Sequence, residues 1–277
     1  MTVQRHYLVL ADGQQLHYLR GGAGPTVLLL HPSPLHAEFM RPLAERLCPD
    51  FDVVAMDAPG YGRSDPLLSD AEGLLPYVEV IAEFISRLDL ERVQIYGNAT
   101  GAQLAIEAAK ALPQRVSALV LDNAGCFTSD EQESLLADYF PDISVQPDGS
   151  HLSLVWRMAT QLYEYFPWYD TRESARISAQ PAPPELVQAT VLAYLAAGPQ
   201  YARAYRAAFA NERPEQLAAV QQPVNVLLWQ DSILLHYSRR LQTAELPSTV
   251  RFTDVPSGVD ARYAAVGRAF IKHEKAR

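Results

Sequence analysis

The groups in this chain that could do chemistry gather at the ends of short apolar runs. Gly97-Asn98-Ala99-Thr100-Gly101 follows Val93–Tyr96 and precedes an Ala-rich amphipathic stretch. A strand, a G-x-x-x-G turn and a helix in that order lift the middle residue above a sheet edge. Glycines suit such a turn because neighbouring backbones approach closely there. The Thr100 N–H would point into the site as a donor to a developing oxyanion. The tip itself is Ala99, whose methyl group can neither attack an electrophile nor carry a proton. His31 directly follows the apolar run Thr26–Leu30, and His36 lies five residues on, at the entrance to a helical stretch. An imidazole titrates ordinarily near neutrality, which suits His36 for general acid/base work. A plainer part, bonding to adjoining loops, stands beside a substrate contact for His31 and Asn98. Asp122 and Asn123 end the run Val116–Leu121, at the edge where open α/β sheets bind ligands.

These positions require a particular set of elements. Tyr7–Leu10 and Gln15–Leu19 read as a hairpin about Ala11-Asp12-Gly13. Thr26–Leu30, Val53–Met56, Val93–Tyr96, Val116–Leu121, Val224–Trp229 and Thr249–Val255 read as strands, the uninterrupted apolar runs among them as strands buried on both faces. Helical spacing separates them at Ala37–Leu47, Ala71–Leu88 and Thr100–Leu112, and Ala261–Lys272 closes the chain. Alternation of this kind predicts an α/β fold with a largely parallel sheet covered on both sides. The rhythm stops at Gly125. Residues 126–219 are helix-rich, Pro-punctuated and aromatic, and read as a helical lid between two parts of one core domain, 1–125 and 220–277. His151, Trp156, Trp168 and Tyr169 fall on that lid. Aromatic side chains there predict an apolar or aromatic small-molecule pocket with a few polar anchors, although lid core would account for most of them.

Composition narrows the function classes. A net charge of −9 over 277 residues argues against a nucleic-acid partner, which needs a basic face. No apolar run approaches the roughly 20 residues of a membrane span. Met1–Leu10 lacks a secretory pattern, so a cytoplasmic protein is expected. Cys48 and Cys126 give neither a disulfide framework nor metal-ligand spacing, and no glycine loop resembles a phosphate cradle. No cofactor or metal is expected, and a homodimer stays open.

Two more segments complete a family resemblance. Leu28-Leu29-Leu30-His31-Pro32-Ser33-Pro34 resembles the strand-end His-Gly segment of α/β-hydrolases, with Pro32 in place of the usual Gly. Asp57-Ala58-Pro59-Gly60-Tyr61-Gly62-Arg63-Ser64-Asp65 resembles their D-x-P-G-x-G-x-S-D loop. With the Gly97–Gly101 elbow, the three occur in the family's order over nearly the whole chain. The resemblance implies an eight-stranded, mostly parallel sheet flanked by helices, with the lid inserted after the sixth strand. It also implies that the Ser33 N–H is the second oxyanion donor.

The family's triad would need a nucleophile at position 99, an acid after the sixth or seventh strand, and a late histidine. This chain has Ala99, then Asp122 or the displaced Asp231, and Val259 where relatives read His. His236 could fill that last gap, and His273 lies near the C-terminus. A branch with a G-x-H-T-G elbow is similar at Asp148–Leu152 and Pro167–Tyr169, but has His where this chain has Ala99. Three readings follow. The chain is an enzyme using an oxyanion hole and a histidine in hydrolase, lyase, isomerase or cyclase chemistry. Or Ala99 replaces a natural nucleophile or base. Or the protein binds a small molecule without turnover.

Overall fold

The computed structural model describes residues 2–275, with side chains as far as Phe270. Strands β1 (Gln4–Val9) and β2 (Gln15–Gly21) form the expected antiparallel hairpin. They lead to β3 (Thr26–Leu30), α1 (Ala37–Leu47), β4 (Asp52–Met56), α2 (Leu75–Arg87), β5 (Val93–Asn98), α3 (Thr100–Ala111) and β6 (Val116–Asp122). Five helices follow: α4 (Ser129–Asp138), α5 (Ser150–Gln161), α6 (Pro184–Ala197), α7 (Ala202–Asn211) and α8 (Pro214–Ala218). The sheet resumes with β7 (Val224–Trp229), then α9 (Leu235–Arg240), β8 (Val250–Val255) and α10 (Val259–Lys275).

The eight strands lie in the order β1-β2-β4-β3-β5-β6-β7-β8. β1 and β2 are antiparallel to their neighbours and the rest run parallel. Burial explains the sequence pattern. Central strands are sandwiched between helices, so both faces of β3, β4 and β5 are buried, and their side chains are largely apolar. Helix α1 presents Ala37, Met40, Leu43, Ala44 and Leu47 to one sheet face, where Val266, Ala269 and Phe270 of α10 join them. Phe84 and Ile85 of α2 and Leu104 and Ile106 of α3 cover the other.

Helix α2 starts four residues later than its apolar spacing suggests. Gly73 has φ 83°, which breaks the helical backbone, and Pro76 suits a first turn because its missing N–H would have no partner there. The helices between β6 and β7 gather an apolar cluster of their own, including Phe127, Tyr139, Trp168, Tyr194, Tyr205 and Phe209. Its entrance is fixed by a capping box at α4: the Glu131 amide bonds to Thr128 Oγ1, and the Thr128 amide to Glu131 Oε2. Among the described residues, no helix is long and apolar enough to cross a membrane. Nor do three His, Cys, Asp or Glu side chains meet there where they could hold a metal ion.

Candidate active site

Strand order decides where a site can form. The chain leaves β3 for β4 on one side and returns to β5 on the other, so their carboxyl ends flank the point at which the winding reverses. The register pairs Leu30 with Gly97, Gly97 with Leu121, and Asn98 with Asp122. The segments carrying His31, Ala99 and Asp122 therefore leave the same edge of the sheet side by side.

Ala99 sits at φ 49° and ψ −111°, between β5 and the first residue of α3. Its amide donates to the Asp122 carbonyl at 2.9 Å, and its carbonyl accepts from Ala102 at 2.8 Å. Both glycines are sterically required. A Cβ on Gly101 would meet the Leu30 carbonyl, and one on Gly97 would lie 2.6 Å from the Ala102 Cα. Ala99 is partly exposed, whereas Ser33 and Thr100 are buried, and neither of their hydroxyls has a partner among the described residues.

His31 is a strut. Its Nε2 accepts the Ala58 amide at 2.9 Å, so Nδ1 carries the proton that faces the Pro32 carbonyl at 3.1 Å. Burial pulls its pKa down to about 4 against the opposing pull of Asp57. A neutral ring with both nitrogens engaged fits the plainer of the two parts expected of it, bonding to adjoining loops. Asp57 organises the loops around it. Burial alone would raise its carboxyl, but the His17 ring at 2.8 Å, His31 and the amides of Ala37 and Arg63 hold it below the usual range. That arrangement explains Gly62 (φ 59°): a Cβ there would run into the Asp57 carboxylate. His36 closes the cluster from the start of α1. It is half-buried, and among the described residues its ring makes no hydrogen bond.

Asp122 is not free to act as a base. Arg262, from the first turn of α10, donates to Asp122 Oδ2 at 2.6 Å and to the Tyr96 hydroxyl at 3.1 Å, and Tyr96 donates to the same carboxylate at 2.8 Å. Burial disfavours the guanidinium charge, yet Asp122 and Tyr96 together raise its pKa. The guanidinium also lies 4.6 Å from the Trp229 ring centroid. Asn98 and Asn123, expected as ligand contacts, extend this network. Asn98 faces the Tyr96 hydroxyl and accepts from Asn123 at 3.0 Å, and Asn123 accepts from Ser232. Arg262 was not legible as a site residue. Only its spacing from Val259, one helical turn, hints at it.

The other expected contacts lie elsewhere. Asp231 is exposed and accepts from Ser257 Oγ and the Gly258 amide, tying together the loops after β7 and β8. His236 is exposed beside Arg240. His151 accepts the Gln146 amide at 3.1 Å within its own turn. Trp156 is 53% exposed on α5. Trp168 is buried, donating to the Tyr139 carbonyl, so it is core. Tyr169 lines a surface groove with Ser134, Pro167 and Tyr237 that includes none of the residues around Ala99.

Sequence reasoning also missed Glu212, at the end of α7. It is buried to 1% exposure, faces Gly125, and has an unpartnered Oε2. The run Asn211-Glu212-Arg213-Pro214 gave no signal beyond a helix end.

Comparison with known proteins places this geometry in context. A 2-hydroxy-6-oxononadienedioate/2-hydroxy-6-oxononatrienedioate hydrolase from Pseudomonas putida is 39% identical over 116 residues, 40% of this chain and 41% of that one. The enzyme of that description from Paraburkholderia xenovorans is 36% identical over 120 residues, 41% and 42% of the two chains. The matched segments thus span about two-fifths of these curated relatives. Among solved structures, a mutant meta-cleavage product hydrolase from Pseudomonas fluorescens complexed with acetates superposes with TM-score 0.68 at 19% identity, covering 98% of each chain. A bromoperoxidase from Bacillus anthracis gives 0.71 at 13%, covering 98% of this chain and all of that one. The model of the alpha/beta hydrolase fold family matches residues 25–223, and with the sheet order above the chain belongs to that family.

Proposed function

We propose that this protein is an enzyme acting on a small, largely apolar or aromatic carbonyl compound, without a covalent nucleophile. The observation that carries the reading is Ala99, held at φ 49° at the elbow tip immediately before the first turn of α3. As the first residue of α3, Thr100 has an amide without a helical acceptor, and such donors stabilise an oxyanion. In this reading the Ser33 and Thr100 amides hold the carbonyl oxygen. Water adds to the carbonyl carbon and gives its proton to His36. The tetrahedral centre then collapses, and His36 returns the proton to the leaving group. The helices between β6 and β7 act as a lid that keeps bulk water from the site. Relatives named for a 6-oxo dioate support a carbonyl substrate that is cleaved hydrolytically.

His36→Gln removes the proton carrier while keeping a polar side chain. Turnover of a panel of aryl esters, lactones and dicarbonyl compounds is expected to fall at least 100-fold in kcat for any substrate accepted, with KM little changed. Unchanged kcat in His36→Gln overturns the assignment. A second reading, ligand binding without turnover, is favoured by the closure of Asp122 around Arg262. It predicts an unaltered ligand after prolonged incubation with the protein.

A further inference from the structure

Tryptophan is highly buried on average, and Trp168 obeys that rule at 5% exposure. Trp156 does not, standing 53% exposed on α5. Leu152, one helical turn earlier, is 48% exposed, and a spacing of four residues puts the two side chains together on the outer surface of that helix. Arg157 follows Trp156, exposed and with no side-chain hydrogen bond or ion pair among the described residues. Helix α5 carries no acidic residue. Asp142 and Asp148, which precede it, are turned to the Ser144 and Ser150 amides of their own turns. Together these residues form an apolar and cationic knob on a chain of net charge −9.

Its complement lies on the same chain. Helix α4 carries Asp130, Glu131, Glu133 and Asp138 and no basic residue. It borders a groove of about 480 Å³ whose apolar lining is Leu135, Pro167, Tyr169 and Tyr237. Asp130, Glu131 and Asp170 line it as well. Arg240 holds Glu131 and Arg172 holds Asp170, so the carboxylate left without a partner among the described residues is that of Asp130. Trp, Tyr and Arg are the side chains that dominate binding energy at protein interfaces, and the knob and the groove are built from them. Neither surface includes a residue of the elbow.

We propose that this groove receives Trp156 and Arg157 of a second copy of the chain, with Arg157 facing Asp130 and the indole packed against Tyr169 and Tyr237. A second copy is the occupant because both halves of the contact, apolar and charged, are present on this one chain. Reciprocal exchange of knob and groove across a two-fold axis closes a dimer. Two copies of net charge −9 repel one another, so pairing of opposite charges within the contact fixes its orientation.

Sedimentation velocity on the full chain tests the proposal. At about 50 μM the wild type is expected to sediment as a dimer that dissociates on dilution. Trp156→Ser should weaken the dimer at least about thirtyfold. Arg157→Glu and Asp130→Lys each bring like charges together and should weaken it at least about tenfold. The two combined restore the pair in the opposite sense and should recover affinity to within about threefold of the wild type. Circular dichroism checks that each variant is folded, and if Trp156→Ser is not, the charge-swapped set decides alone. A wild type that is monomeric at about 50 μM overturns the proposal. So does a dimer left unchanged by any one of the three substitutions, or a double variant no tighter than the single ones. Monomeric protein that co-sediments with phosphatidylcholine vesicles, and no longer does so in Trp156→Ser, overturns it in favour of a lipid surface.

Discussion

An L-residue at φ 49° and ψ −111° is strained by its own Cβ, and Ala99 is held there by bonds at both of its peptide groups. Ala99→Gly removes that strain against a smaller, opposing cost in unfolded-state entropy, so it should stabilise the protein by about 1 kcal/mol net. A lower midpoint in urea unfolding contradicts this account of the turn. His31 carries the clearest pH signature. Its folded pKa of about 4 lies below the ordinary 6.5. The unfolded chain therefore binds the proton first as pH falls. The stabilising contribution is complete above pH 6.5, declines through the window, and is gone below about 4. At full extent it is on the order of 3 kcal/mol. Unfolding free energy measured across that window should drop with acid in the wild type. In His31→Gln the slope should be shallower, and an identical slope contradicts the strut.

At the scale of elements, a single ion pair locks α10 to the end of β6 beneath the elbow. Arg262→Met leaves Asp122 buried without its cation and should destabilise by about 3–5 kcal/mol. The double variant Arg262→Met with Asp122→Asn should recover much of that loss, because no unpaired charge remains. A double variant no more stable than Arg262→Met in urea denaturation contradicts the ion-pair account. This network also marks the boundary of what was legible beforehand. Strands β3, β5 and β7 were visible as short, mostly apolar runs because both of their faces are buried. Their order places the Gly97–Gly101 turn at the switch point, so the position of that turn at the sheet's carboxyl edge was legible. Asp122 was legible as a residue at the sheet's carboxyl edge. That its carboxylate is closed off was not, because Arg262 lies 140 residues away and only tertiary packing joins them. Trp168 and Trp156 read alike as lid aromatics, and only packing separates a buried core ring from an exposed one.

Across the whole molecule, the Gly97–Gly101 turn leaves the carboxyl edge of the sheet at the switch point, and its tip, Ala99, offers nothing to acylate. The proposed mechanism therefore requires that water, not the protein, make the new bond to carbon. Intact-mass spectrometry of the enzyme, quenched within milliseconds of mixing with a turned-over carbonyl substrate, tests this most directly. The account predicts unmodified protein at every time point, with product oxygen drawn from labelled water in a single step. A transient adduct on the chain, rising and decaying at the turnover rate, contradicts it.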